Sequence, residues 1–163
     1  MPTITVGSSR IQYRVTGSGP ALMLVHGVGK GGEAAFGHLV DRFAQRNTVI
    51  LPDLSGSEAA EDDGSDLTME QLADEVAAVI DHAGLGPVDL VGFSLGAAVV
   101  AAHPALHPDQ VRRVVPGGGL VQTDRHMEKL IGLVLRQKNG PRALGRVRGP
   151  HRLTPKSLQT LPP

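Results

Sequence analysis

The chain has 163 residues, enough for one domain, with sixteen Lys+Arg, sixteen Asp+Glu, seven His and no Cys. The apolar content of 40% and zero formal charge exclude wholesale disorder, and the missing cysteines exclude a disulfide framework, a Cys-ligated metal and a thiol nucleophile. The neutrality conceals an asymmetry: every acid lies at or before Glu128, and Lys129 to Pro163 carries eight basic residues and none, so the two parts are −8 and +8.

At the N-terminus, Thr3-Ile4-Thr5-Val6 and Ile11-Gln12-Tyr13-Arg14-Val15 flank a Gly/Ser turn and predict an antiparallel hairpin. Ala21 to Val25 is apolar at consecutive positions, the pattern of a strand buried on both faces. Phe36, Leu39, Val40 and Phe43 recur at helical spacing and predict a helix from about Gly32 to Gln45. Thr48 to Leu51 reads as a strand stopped by Pro52, and Asp53 to Asp66, rich in Gly, Ser and acid, as a solvated loop. Thr68 and Gln71 form a capping box for a helix whose stripe is Leu72, Val76, Val79 and Ile80, ending near Gly84. Val88 to Val91 is the next strand, Leu95 to His107 a helix, and Val111 to Val115 a further strand. This alternation predicts an α/β fold: a mostly parallel sheet of about six strands with the antiparallel hairpin at its start and helices on both faces.

Residues 1–116 form the expected core. Met127, Leu130, Ile131 and Val134 predict one more amphipathic helix within 117–137, and 138–163 is a basic, Pro/Gly-rich tail expected to be irregular. No run reaches the about 20 apolar residues of a membrane span, and Met1 to Gly19 lacks a signal-peptide pattern, so a cytoplasmic protein without a membrane partner is expected. Tyr13, Phe36, Phe43 and Phe93 are the sole aromatics, too few for a base-stacking platform, and the basic tail has no nucleic-acid motif. Val111 to Val115 is expected to end the sheet as an apolar edge, through which two copies could pair.

The motif with chemical content is Gly92-Phe93-Ser94-Leu95-Gly96, between a strand and a helix. The turn this context demands is so tight that side chains two positions either side of Ser94 would clash, and glycine removes them. Ser94 is then raised above the sheet edge, with the Leu95 N–H at a helix N-terminus. Together with Gly19-Pro20 leading into an apolar strand, His26-Gly27, Pro52-Asp53 and His107-Pro108-Asp109-Gln110-Val111, this order of motifs over roughly Gly17 to Val115 resembles the α/β-hydrolase superfamily of esterases, lipases, lactonases and related enzymes.

The resemblance implies that Ser94 is a nucleophile toward an ester, lactone or similar acyl carbon of a small molecule, without a cofactor or metal. It implies that the backbone N–H groups of Val28 and Leu95 form an oxyanion hole, and that His26 orients its loop. The family's acid and His follow the Ser; Asp124 and His151 stand in that order here, although no strand-helix-strand pattern follows Val115, so a shortened form of the fold is expected. A non-catalytic homologue that has lost its triad is the alternative. A second alternative is a dinucleotide-binding domain, because Gly27-x-Gly29-x-x-Gly32 follows a strand and precedes a helix, with Asp53 ending the next strand. His103 and His107 match a metal-binding pair in spacing alone and are read as structural or surface residues.

Overall fold

In a computed structural model of the chain, the structure describes residues 1–29, 31–62, 64 and 67–118. Ten elements follow in order: β1 (Thr3–Val6), β2 (Ser9–Thr16), β3 (Ala21–Val25), α1 (Gly32–Ala44), β4 (Thr48–Asp53), α2 (Met69–Ala83), β5 (Val88–Phe93), α3 (Leu95–Leu106), a 3-10 turn at Pro108–Gln110, and β6 (Val111–Gly117). Among these residues the sheet has six strands in the order β1-β2-β4-β3-β5-β6. β1, β2 and β4 are antiparallel neighbours, and β4, β3, β5 and β6 run parallel. The fold class and the N-terminal hairpin are as the periodicity predicts.

β3 is the centre of the molecule, and its five consecutive apolar residues serve two cores. Met23 and Val25 join Ile11, Ile50, Leu72, Val76, Ile80, Leu90 and Val100 under α2 and α3. Leu22 and Leu24 face the other way and pack with Phe36, Val40, Val49 and Leu51 under α1. Full burial of each such side chain contributes about 1.5–3 kcal/mol relative to exposure, so truncation within β3 would cost several kcal/mol at Leu24 or Met23.

Two expectations are corrected. β4 does not stop at Pro52 but runs on to Asp53, with Tyr13 opposite Pro52 and Gln12 opposite Asp53. The Tyr13 N–H donates to the Pro2 carbonyl, on the β1 side, so Tyr13 and Pro52 are a pair without mutual hydrogen bonds. The Pro52 nitrogen therefore points toward β3, whose ladder with β4 already ends at Ile50, and the missing donor breaks no bond. Similarly, β6 continues through Pro116 to Gly117. Its outer side has no strand partner among the described residues, and Val115 there is 56% exposed.

The second correction concerns the stretch after β4. Its composition predicts a solvated loop, yet Leu54, Ser55 and Ser57 are buried, and exposure begins at Glu58. The capping box forms as expected: the Gln71 N–H donates to Thr68 Oγ1 at 3.0 Å, and Gly84 closes α2 at φ 65°. Thr68→Ala is expected to lower stability by about 1 kcal/mol, read as a shift in the urea midpoint with unchanged slope.

Candidate functional site

β5 ends and α3 begins within a single residue. Ser94 makes that turn with φ 57° and ψ −118°, the one positive φ at a non-glycine among the described residues. Such a conformation costs on the order of 1–3 kcal/mol and persists only where its surroundings enforce it. They do so here. The Ser94 N–H donates to the Gly117 carbonyl of β6 at 3.1 Å, and its own carbonyl accepts from Ala97 N–H at 3.0 Å. The flanking glycines are sterically obligatory: a Cβ on Gly92 would overlap the Gly96 carbonyl, and one on Gly96 would overlap the Val25 carbonyl and lie 2.5 Å from the His26 carbonyl oxygen.

Ser94 is exposed and occupies the N-cap position of α3, but its hydroxyl makes no capping hydrogen bond. The first-turn N–H groups of a helix have no intrahelical acceptor, so Leu95 presents a donor beside a hydroxyl that is not spent on the cap. The facing wall is the loop after β3. Gly27 lies so close that a Cβ there would be 2.9 Å from Ser94 Cβ and 3.3 Å from Ser94 Oγ. Val28 and Leu95 line one small depression together with His26, Gly27, Leu54 and Val99. Val28 and Leu95 thus share one depression, and Gly27, next to Val28 in the chain, packs against Ser94.

His26 is buried, and its two ring nitrogens hold the loops on either side of it. The Leu54 N–H donates to His26 Nε2 at 3.0 Å, which leaves the proton on Nδ1 to donate to the Gly27 carbonyl at 2.5 Å. Other described histidines are also engaged elsewhere. His82 Nδ1 meets the Tyr13 hydroxyl at 2.7 Å, His107 Nε2 meets Asp74 at 2.9 Å, and His38 is exposed on α1. No described histidine or carboxylate is hydrogen-bonded to Ser94. Asp124 and His151, and the helix expected within 117–137, lie outside the described residues.

The dinucleotide reading fails on the geometry of Asp53. Its carboxylate accepts the Gly32 N–H at 2.7 Å, at the N-terminus of α1. A dinucleotide would need that helix end for its pyrophosphate, and a fixed, buried carboxylate already occupies it.

Among the described residues no three His, Cys, Asp or Glu side chains converge at His103 and His107. His103 is fully buried against α2, its ring 4.9 Å from that of His107. Gln110 and the Ala73 backbone lie beside the ring, but neither contact has hydrogen-bond geometry, and both ring nitrogens lack a partner among the described residues. Burial, and after it the neighbouring His107, hold the His103 ring below the usual histidine range, with Asp74 opposing weakly. In this case the unfolded chain binds a proton that the folded chain resists. Stability is therefore complete above the unfolded value of about 6.5 and is lost as pH falls from there toward the folded value. The melting temperature should fall more steeply between pH 7.5 and 5 in the wild type than in His103→Leu; parallel curves would show that His103 does not carry the effect.

A family model described as the alpha/beta hydrolase fold matches residues 20–143. A pyrrolizixenacetamide deacetylase from Xenorhabdus hominickii is 42% identical over 123 residues, covering 76% of this chain and 46% of that protein. The crystal structure of an E-2-(acetamidomethylene)succinate hydrolase superposes with a TM-score of 0.75 at 26% identity, over 83% of this chain and 50% of that one. The enol-lactonase from Burkholderia xenovorans LB400 gives the same TM-score at 19% identity over 85% of this chain and 54% of that one, a likeness of fold alone. The chain spans about half the length of the relatives it matches.

Proposed function

The chain belongs to the α/β-hydrolase fold family, and from that premise we propose that it hydrolyses a small acyl compound, an ester, lactone or activated amide, with Ser94 as nucleophile. The observation that carries this reading is the backbone of Ser94. A serine forced to φ 57° between β5 and α3, with the hydroxyl exposed and not used as a cap, is strain that packing alone does not need.

Attack of Oγ on the acyl carbon places negative charge on the carbonyl oxygen. The N–H of Leu95 at the α3 terminus and the N–H of Val28 across the depression stabilise that charge. The hydroxyl proton passes to a general base, which protonates the leaving group before water, activated by the same base, releases the acid. Chain order allows His151 as the base with Asp124 as its orienting acid, the order the family uses after its nucleophile. The relatives named for removing an acetyl group and for acting on an acetamidomethylene succinate favour acetyl esters and acetamides as first substrates.

The alternative, a non-catalytic homologue, is favoured by one observation: no described histidine is hydrogen-bonded to Ser94, His26, His82 and His107 being held by other groups, His103 buried within α3 and His38 exposed on α1. Hydrolysis of p-nitrophenyl acetate and of an aryl acetamide by the purified protein separates the two. Turnover above that of buffer, lost on His151→Ala, is expected from the enzyme; a rate equal to buffer selects the alternative.

A further inference from the structure

Glu75 is a charged residue in the wrong place for a surface role. It lies on the apolar side of α2 among Leu72, Val76 and Val79, and it is fully buried. A carboxyl group removed from water must be hydrogen-bonded, and here its partners all come from two residues. The Ser55 N–H donates to one carboxyl oxygen at 2.9 Å, the Ser55 hydroxyl to the other at 2.5 Å, and Gln71 Nε2 adds a longer contact at 3.4 Å. Burial pushes this carboxyl above the usual range; the two Ser55 bonds and then Gln71 act against it, and the nearby Asp62 adds to the rise. Asp62 is itself held by the Gly56 and Gly64 N–H groups.

Ser55 sits between the two points at which the loop after β4 grips the loop after β3. On one side the Leu54 N–H donates to His26 Nε2. On the other the Glu58 N–H donates to the Gly29 carbonyl at 3.0 Å, with Gly29 and Ser57 bridged. The segment His26 to Gly29 is thus clamped at both ends by residues flanking Ser55, and Val28 lies between the clamps. Moving Ser55 moves both clamps together.

We propose that Glu75 is a positioning residue for hydrolysis at Ser94: through Ser55 it fixes the Leu54 to Glu58 loop, and through Leu54 and Glu58 it places the Val28 N–H. This rests on the reading of Val28 as an oxyanion donor. Glu75 touches no substrate, and its effect is geometric.

Three variants test it by amide NMR and steady-state kinetics on an aryl acetate. Ser55→Ala removes one bond and keeps the buried carboxyl. Glu75→Gln keeps an acceptor for the Ser55 N–H and a polar partner for its hydroxyl. Glu75→Leu removes both. The amide signals of Val28 and Gly29 should move in Ser55→Ala and Glu75→Leu and stay in place in Glu75→Gln. In the same two variants kcat should fall about tenfold with KM within about twofold, a fraction of the loss caused by removing an oxyanion donor outright. A purely structural Glu75 would lower the melting temperature with Val28 and Gly29 unmoved in folded Ser55→Ala, and that result overturns the proposal. If Glu75→Leu does not fold, Ser55→Ala against Glu75→Gln decides. If Ser94→Ala leaves hydrolysis unchanged, the function reading falls, and the NMR arm still decides the positioning role.

Discussion

Ser94→Ala is expected to lower ester turnover by about 10³-fold or more while leaving the fold intact. The removed atom is the nucleophile, and what remains, an oxyanion site and a pocket, accounts for only a small part of the rate. The fold should survive because the Ser94 hydroxyl makes no capping bond and its backbone contacts, to Gly117 and Ala97, do not involve the side chain. A companion variant sharpens the reading. Ser94→Gly should also be inactive yet gain about 1 kcal/mol, because glycine takes φ 57° without the strain that a Cβ imposes. A site that is locally destabilised where chemistry is done is the usual trade between stability and activity. A Ser94→Gly protein less stable than the wild type would show that the turn is not strained.

Gly96→Ala should destabilise the protein by about 3 kcal/mol, the upper end of the cost of forcing extra volume into a packed interior. Helix propensity alone predicts the opposite sign, since alanine exceeds glycine by about 1 kcal/mol inside a helix. The steric term wins because the new methyl would meet the carbonyls of Val25, which ends β3, and of His26, which follows it, and these backbone atoms cannot rotate away as a side chain can. Gly37→Ala in α1 is the control. Its methyl would meet only the end of the Glu33 side chain, 2.7 Å from Oε1, and that side chain is exposed and held only by a surface ion pair with Arg14, which costs little to shift. Gly37→Ala should therefore be neutral or stabilising by up to about 1 kcal/mol, as propensity dictates. Equal effects at the two positions, measured as urea midpoints, would remove the steric explanation of the turn.

Much of the architecture was legible because it follows local rules. The unbroken apolar run of β3 implies burial on both faces, and Leu22 and Met23 do face different cores. The glycines at 92 and 96 imply a close backbone approach, which the carbonyls of Gly96 and Val25 supply. What escaped depends on contacts between distant residues. That β4 lies between β2 and β3 cannot be read from alternation, because adjacency in a sheet is set by crossover connections and not by chain order. Pro52 is tolerated in β4 only because the ladder to β3 has already ended. The polar loop after β4 looked solvated by composition, whereas Ser55 is buried by a carboxyl on another element. A signal was present in α2: position 75 follows Leu72 by three residues and precedes Val79 by four, so its glutamate lies on the apolar stripe and needs an internal partner. Which partner it finds is a tertiary fact.

The claim that the strained serine is an activated nucleophile has a direct test in a fluorophosphonate probe, which bonds covalently to a serine whose hydroxyl is activated by a base. The folded protein should be labelled at one site, mapped by peptide mass spectrometry to the peptide containing Ser94, and labelling should vanish in Ser94→Ala and after denaturation. Folded protein that remains unlabelled, or that is labelled equally in Ser94→Ala, would contradict the account.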